Sequence, residues 1–397
     1  MKATNPVFAA CGTTIFTVMS ALAREHDAIN LGQGFPDEDG PLAMRQVAAA
    51  AGIEGPNQYP PMQGLPVLRQ AVARHDERHY GLQLDWQTEV LITSGATEAL
   101  AAACFGLLAP GDEVVLMEPL YDAYLPLVRR AGAIPRLVRL RPPGWDLPKD
   151  ALQAAFSSRT KLLILNSPHN PTGKVFDADE LSFIAGLLTA NDAIAVCDEV
   201  YEHIVFNRKA HRPLMTLPGM RERCLRIGSA GKTFSMTGWK VGYVAGPPPL
   251  LEAVAKAHQF LTFTTPPNLQ AAVAHGLDHE TVWIEGLAPA QQAKRDRLSS
   301  GLRAAGLDVL ASGGTYFLTA AIPPGWNGSD EAFCRYLTIQ AGVTCIPLGA
   351  FYEHAEDQGH VRFCFCKKDE VLDQATTRLK RHFGDRAQGK KAMRDAW

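Results

Sequence analysis

Lys232 lies between Gly231 and Thr233, just past Leu225–Ile227, an apolar run that reads as a buried strand. Most lysines are solvated at the surface. One flanked by small residues behind a buried strand offers its amine to something flat and bulky, as a Schiff-base partner would need. Ser229 precedes it and a second lysine, Lys240, follows eight positions on. Asp198 closes another apolar run, Ala193–Cys197. A carboxylate there is poorly solvated and needs a cation or strong donors, unless it merely caps the loop. Tyr201, three residues on, would lie near it. Asn170 follows a third run, Lys161–Leu165. Ser94-Gly95-Ala96-Thr97 joins a strand to a helix, so its backbone N–H groups point outward as an anion site or form only a helix start. Together these groups suit a phosphate, a ring cation, a phenolic oxygen and an aldehyde.

The elements that must hold them alternate in type. Helices are expected at Thr13–Arg24, Pro41–Gly52, Pro66–Tyr80, Glu98–Leu108 and Glu180–Ala190. Short strands are expected at Val90–Thr93, Val114–Met117, Ile134–Leu140, Lys161–Leu165, Ala193–Cys197, Leu225–Ile227 and Val241–Ala245. Short apolar strands separated by helices imply a mostly parallel sheet covered on both faces. Ligands of such sheets bind beyond the carboxyl ends of the strands, where the polar groups above fall. Beyond about residue 285 the pattern changes to a charged helix Leu287–Ala305, strand Tyr316–Ala320, helix Ser329–Ala341, strands Val343–Ile346 and Val361–Cys366, and helix Lys368–Phe383, with a fraying tail after Gly384. The organisation expected is α/β: an arm at 1–40 that contributes to a small domain and the site, a large domain at 41–285 and a smaller α+β domain at 286–397.

Pyridoxal 5'-phosphate carries all four features that the strand-end groups suit. The chain also resembles the fold-type I, pyridoxal-phosphate-dependent class I/II aminotransferases, over nearly its whole length. The segments that carry the likeness are Asn166-Ser167-Pro168-His169-Asn170-Pro171-Thr172-Gly173, Asp198-Glu199-Val200-Tyr201 and the run from Ser229 to Lys240. The last segment is similar to the subgroup of kynurenine aminotransferase/glutamine transaminase K and bacterial methionine aminotransferases.

The resemblance implies residue roles. Lys232 forms the Schiff base, Asp198 pairs with the pyridinium nitrogen, and Asn170 and Tyr201 bond the phenolic oxygen. Gly95, Ala96, Thr97, Ser229 and Lys240 hold the phosphate, Tyr121 stacks on the ring, and Tyr59 reaches the phosphate from a partner subunit. Arg362 grips the substrate carboxylate with Asn170 and the Gly34 backbone, although its own context favours a strand-edge surface arginine. Tyr59 by its own context reads as a surface or interface tyrosine. Phe16, Tyr121 and Phe263 would line an aromatic pocket, and the Phe260–Pro266 segment expected to cross from the partner has no arginine. This favours a neutral L-amino acid donor (methionine, glutamine, an aromatic residue or kynurenine), a 2-oxo acid acceptor, ping-pong kinetics and a homodimer with shared sites. A β-eliminating lyase acting on cysteine conjugates is the alternative on the same scaffold.

Composition narrows the remaining classes. The chain has 397 residues, 46% hydrophobic, with formal net charge −2. Near-neutral charge gives no electrostatic case for nucleic acid or anionic membrane, and no apolar run has spanning length. A soluble, cytoplasmic protein is expected. A regulator built on this fold would need a DNA-binding domain, for which the arm is short. Eight scattered cysteines without a CxxC pair suggest small core residues in a reducing compartment. The twelve histidines are read as offering no ligand cluster, so no metal is expected.

Overall fold

The computed structural model describes residues 2–355 and 357–388. In chain order its strands are β1 (Ile29–Asn30), β2 (Val90–Thr93), β3 (Glu113–Glu118), β4 (Ile134–Arg139), β5 (Thr160–Asn166), β6 (Ile194–Asp198) and β7 (Cys224–Ser229). They continue with β8 (Gly242–Ala245), β9 (Asp308–Val309), β10 (Phe317–Ala321), β11 (Val343–Thr344), β12 (Ile346–Pro347) and β13 (His360–Cys364). Seven of them form one sheet in the order β2-β8-β7-β6-β5-β3-β4. Its pairings are parallel except where β8 runs against both its neighbours.

Alternation within the strands builds a core on each face of this sheet. Leu162, Ile164 and Val196 pack with Ala99, Leu100 and Ala103 of the helix Ala96–Leu107 on one side. Leu163, Ala195 and Cys197 pack with Leu181, Ile184 and Leu188 of the helix Ala178–Ala190 on the other. That second helix starts on a capping box, in which Asp177 accepts from the Glu180 backbone and Glu180 reaches back. With both faces covered, β2, β3 and β8 are buried throughout, which explains the apolar run Val114–Met117 inside β3 and the apolar residues of the other two. The smaller body carries a four-stranded antiparallel sheet, β12-β13-β10-β9. β1 of the arm pairs in parallel with β11 of the C-terminal segment.

Several expectations need correction. Val343–Ile346 is not one strand: the chain turns at Cys345, sending β11 to β1 and β12 to β13. The long helix begins at Thr281 and carries Pro289 within it; burial of Ile284 and Leu287 on one face sustains it there. The last helix extends to Gln388, past Gly384, and the rest of the tail lies outside the described residues. Seven cysteines are buried, but Cys11 is exposed. The histidine reading also fails: His75 and His79 stand one turn apart on the helix Pro66–Tyr80, and the fold brings His203 to them. Among the described residues no helix is long and apolar enough to cross a membrane.

Register sets the site. Asn166 is paired with Asp198 and Asp198 with Ile227. Gly242 stands opposite both Ser229 and Thr93. The polar residues that end β2, β5, β6 and β7 therefore emerge side by side at one edge.

Candidate active site

Gly95, at φ 82°, turns the chain from β2 into the helix Ala96–Leu107, a backbone angle that side chains other than glycine strain to adopt. No side chain caps this helix, so its first N–H groups are free to face a ligand. The backbone at this turn is closely approached: a Cβ on Gly242 would stand 2.8 Å from the Gly95 carbonyl carbon. Lys240 takes a left-handed conformation that brings its amine against Gly95, where an added Cβ would lie 3.2 Å from Nζ. Ser229, Thr97 and Lys240 line one cavity with Ala96, Tyr121, Asn170, Asp198, Tyr201 and Lys232. The cavity encloses about 770 Å³, its open mouth included. At one end it offers free amides, two hydroxyls and an ammonium, a match for a phosphate.

Asp198 lies at the buried floor. Tyr124 donates its hydroxyl to Oδ2 at 2.6 Å, and the Val200 amide reaches Oδ1 at 3.5 Å. Burial pushes the Asp198 carboxyl above its usual range. Among the described residues no cation pairs with it, so the carboxylate is arranged for a positive group from outside the chain. Tyr124 escaped the sequence reading. Its spacing of three from Tyr121, at the start of the helix Tyr124–Arg130, was the available signal.

Lys232 is half-buried and its amine points to the same cavity. Nζ donates to the Gly34 carbonyl at 3.4 Å and stands 5.5 Å from the Tyr201 ring centre. Burial lowers its pKa, favouring the neutral, nucleophilic amine. Tyr316 fixes the local backbone by donating to the Lys232 carbonyl at 2.9 Å. The glycine before Lys232 has a packing cause: a Cβ on Gly231 would sit 3.1 Å from Thr237 Cα and 3.2 Å from the Met236 carbonyl oxygen.

Arg362 lies in β13, an inner strand, and is 1% exposed, so it is not a strand-edge surface arginine. Its Nη1 donates to Asn170 Oδ1 at 3.0 Å and Nη2 to the Gly32 carbonyl at 2.8 Å, while Nε has no partner. The guanidinium lies 3.9 Å from the Phe317 ring centre, 4.9 Å from Phe351 and 5.1 Å from Phe16. Burial brings its pKa down to about 10, still cationic near neutrality. Asn166, also missed, ties the floor together. It donates to the Asp198 carbonyl at 2.9 Å and accepts from the Asn170 amide at 2.7 Å.

Of the aromatic pocket expected from Phe16, Tyr121 and a partner's Phe263, one chain supplies Phe16 and Tyr121 at the site. Phe16 packs edge-on against Phe351 beside Arg362, and Tyr121 lines the cavity against Tyr124. Phe263 instead meets Tyr59, with ring centres 5.5 Å apart, at a separate surface where Tyr59 is 83% exposed.

The residues present fit pyridoxal 5'-phosphate. A phosphate-sized nest, a buried carboxylate without a cation and an amine of lowered basicity share one cavity.

Comparisons with known proteins agree. Residues 26–379 match the family described as aminotransferase class I and II, which depends on that cofactor. The fold superposes on N-succinyldiaminopimelate aminotransferase from Mycobacterium tuberculosis with TM-score 0.93 and 47% identity, covering 95% of this chain and 99% of that one. The methionine aminotransferase of Escherichia coli is 41% identical, over 93% of this chain and 96% of its own length. Kynurenine–oxoglutarate transaminase of Dictyostelium discoideum is 37% identical, over 93% and 94%.

Proposed function

The chain belongs to the class I and II aminotransferases, and on that premise we propose that it moves the amino group of a neutral L-amino acid to a 2-oxo acid through the residues gathered at this cavity. The enzyme is an aminotransferase that takes amino acid and oxo acid substrates; the donor's side chain and the residue roles are our reading. One observation carries it: Arg362 is buried among three phenylalanines, joined to Asn170, with Nε left without a partner. A fixed guanidinium fork in an apolar wall matches a substrate α-carboxylate and sets which Cα bond faces the reacting group.

Gly95, Ala96, Thr97, Ser229 and Lys240 would hold the cofactor phosphate, Tyr121 its ring face, Asn170 and Tyr201 its phenolic oxygen and Asp198 its ring nitrogen. When bound, pyridoxal 5'-phosphate supplies a carbonyl that condenses with amines and a ring that accepts electrons released at the substrate Cα. The chain supplies the rest. Lys232 Nζ would hold the cofactor between turnovers and, as a free amine, would take the substrate Cα proton and return it, with its basicity tuned by burial. The ionised Asp198 keeps the ring nitrogen protonated, and Tyr124 keeps Asp198 ionised. Gly34, whose carbonyl faces Lys232 Nζ, borders the substrate position beside Phe16.

A neutral donor such as methionine, glutamine, an aromatic amino acid or kynurenine has the support of the apolar surround of Arg362 and of the E. coli and D. discoideum relatives. Apolar walls discriminate weakly, so broad specificity follows. A second reading, N-succinyldiaminopimelate as substrate, has the support of the 47%-identical M. tuberculosis protein. We also propose a homodimer in which the exposed pair Tyr59 and Phe263 completes the partner's site. The relatives reported are named for transamination, and β-elimination is not proposed.

The test is a panel of L-amino acids and N-succinyldiaminopimelate against several 2-oxo acids, following both products. Highest kcat/KM for a neutral donor is expected. Preference for N-succinyldiaminopimelate would establish the second reading, and strong preference for aspartate or glutamate would overturn both the aromatic-wall argument and the donor assignment.

A further inference from the structure

A second constellation lies behind the catalytic loop. His75 and His79 project from one face of the helix Pro66–Tyr80, and His203 meets them from the turn that follows Asp198 and Tyr201. Their ring centres are 4.6, 4.9 and 5.0 Å apart, close to an equilateral triangle. One nitrogen from each lies within 4.8 Å of the others. His75 Nε2 and His203 Nε2 are in hydrogen-bond contact at 2.8 Å, and the buried His79 Nε2 has no partner. From these positions we infer that the three histidines form a binding site for a borderline divalent transition metal such as zinc.

The chemistry around the triangle supports this assignment. The other nitrogen of His75, Nδ1, is 2.9 Å from Asp76 Oδ1. A carboxylate behind an imidazole fixes its tautomer and directs the opposite nitrogen toward a metal. Asp76 is itself held by Arg226 Nη1 at 2.9 Å to each oxygen. Arg226 also bonds Glu199 and Glu202, and Tyr80 and Tyr243 donate to Glu202. Three buried carboxylates thus face one guanidinium. The three acidic groups outnumber the one guanidinium, with His211 3.0 Å from Glu199. A dication beside this network reduces the imbalance. Burial pulls the pKa of His79 down to about 4 and of His203 to about 3, so both rings are neutral at physiological pH.

The geometry needs only small changes. Zinc–nitrogen bonds of about 2.0–2.1 Å in a tetrahedron put the ligand nitrogens about 3.3 Å apart. The 2.8 Å His75–His203 contact would open by about half an ångström and the wider separations would close, through ring rotations. His79 and His203 are only part-buried, which leaves a fourth position for water. Three imidazoles favour zinc, cobalt, nickel or copper over magnesium and calcium, which prefer oxygen. The role is structural: the metal ties the helix Pro66–Tyr80 to the turn that carries Tyr201.

The experiment uses the holoenzyme, stripped with a chelator and titrated with zinc by calorimetry, and with cobalt by visible absorption. Wild type is expected to bind one metal per chain, with a cobalt spectrum of nitrogen coordination and a raised thermal midpoint, and to ignore magnesium. His79→Ala removes a part-buried ring outside the catalytic cavity, and His203→Gln shortens the other arm. Each should retain cofactor absorbance while losing that equivalent of metal and the midpoint shift. Unchanged zinc stoichiometry and affinity in both variants would overturn the inference. So would zinc binding that vanishes in Cys11→Ser but not in the histidine variants, or no binding by wild type.

Discussion

Tyr124→Phe probes the device that keeps Asp198 ionised without touching Lys232 or Arg362. Both groups are about 4% exposed, and among the described residues the hydroxyl is the one short donor to the carboxylate, at 2.6 Å; the Val200 amide is at 3.5 Å. A hydrogen bond to a charged partner contributes about 1.5–3 kcal/mol. Its loss raises the Asp198 pKa further, above a value that burial has already pushed up. Less ionised Asp198 holds the cofactor nitrogen protonated less well, so kcat should fall by about 10- to 100-fold while KM changes little. The sign in pH is fixed. The active form carries ionised Asp198, so activity disappears as pH falls through its pKa. The variant should lose activity at higher pH than wild type. Steady-state kinetics across pH at saturating oxo acid reads both effects, and thermal melting checks that the ring swap leaves the fold intact. A variant with wild-type kcat and an unmoved acid limb would refute the reasoning and leave Tyr124 as packing alone.

Arg362→Lys keeps a cation but not the fork, and should lower kcat/KM for the amino acid by about 10- to 100-fold, mainly through KM, in steady-state assays. Arg226→Leu leaves Asp76, Glu199 and Glu202 buried without their cation, so urea unfolding should show a loss of about 3–5 kcal/mol. Tyr59→Ala and Lys232→Ala chains, each inactive alone, should regain activity when refolded as a mixture, because a hybrid dimer holds one site with both residues. A mixture as inactive as its components would argue against shared sites.

The strand ends were legible because buried strands of a covered sheet must be short and apolar, so any polar residue closing one stands out. Ser94–Thr97, Asn170, Asp198 and Ser229–Lys240 were found that way, and the structure brings all four segments to one cavity. What stayed hidden depends on contacts distant in sequence. Tyr124 reaches Asp198 across 74 residues, and Arg362 reaches Asn170 across 192. Neither partner is marked by local pattern, and Arg362 reads as a surface residue until three phenylalanines from separate elements enclose it. Phe263 is expected to serve a partner's site, and the turn after the helix Pro248–Leu261 sets it beside Tyr59, the other residue expected there. At Cys345 the chain passes from the pairing of β11 with β1 to that of β12 with β13, two partners far apart in sequence. The histidine triangle combines a helical spacing visible in the sequence with a third member supplied by the fold.

The proposed chemistry depends on Lys232 as the residue that holds the cofactor. Reducing the holoenzyme with borohydride and mapping its peptides by mass spectrometry tests this directly, since reduction fixes a lysine–cofactor linkage permanently. The expected result is the reduced cofactor on the peptide containing Lys232 and on no other, and its absence from Lys232→Ala treated alike. Labelling of Lys240 or any other lysine, with Lys232 unmodified, would contradict it.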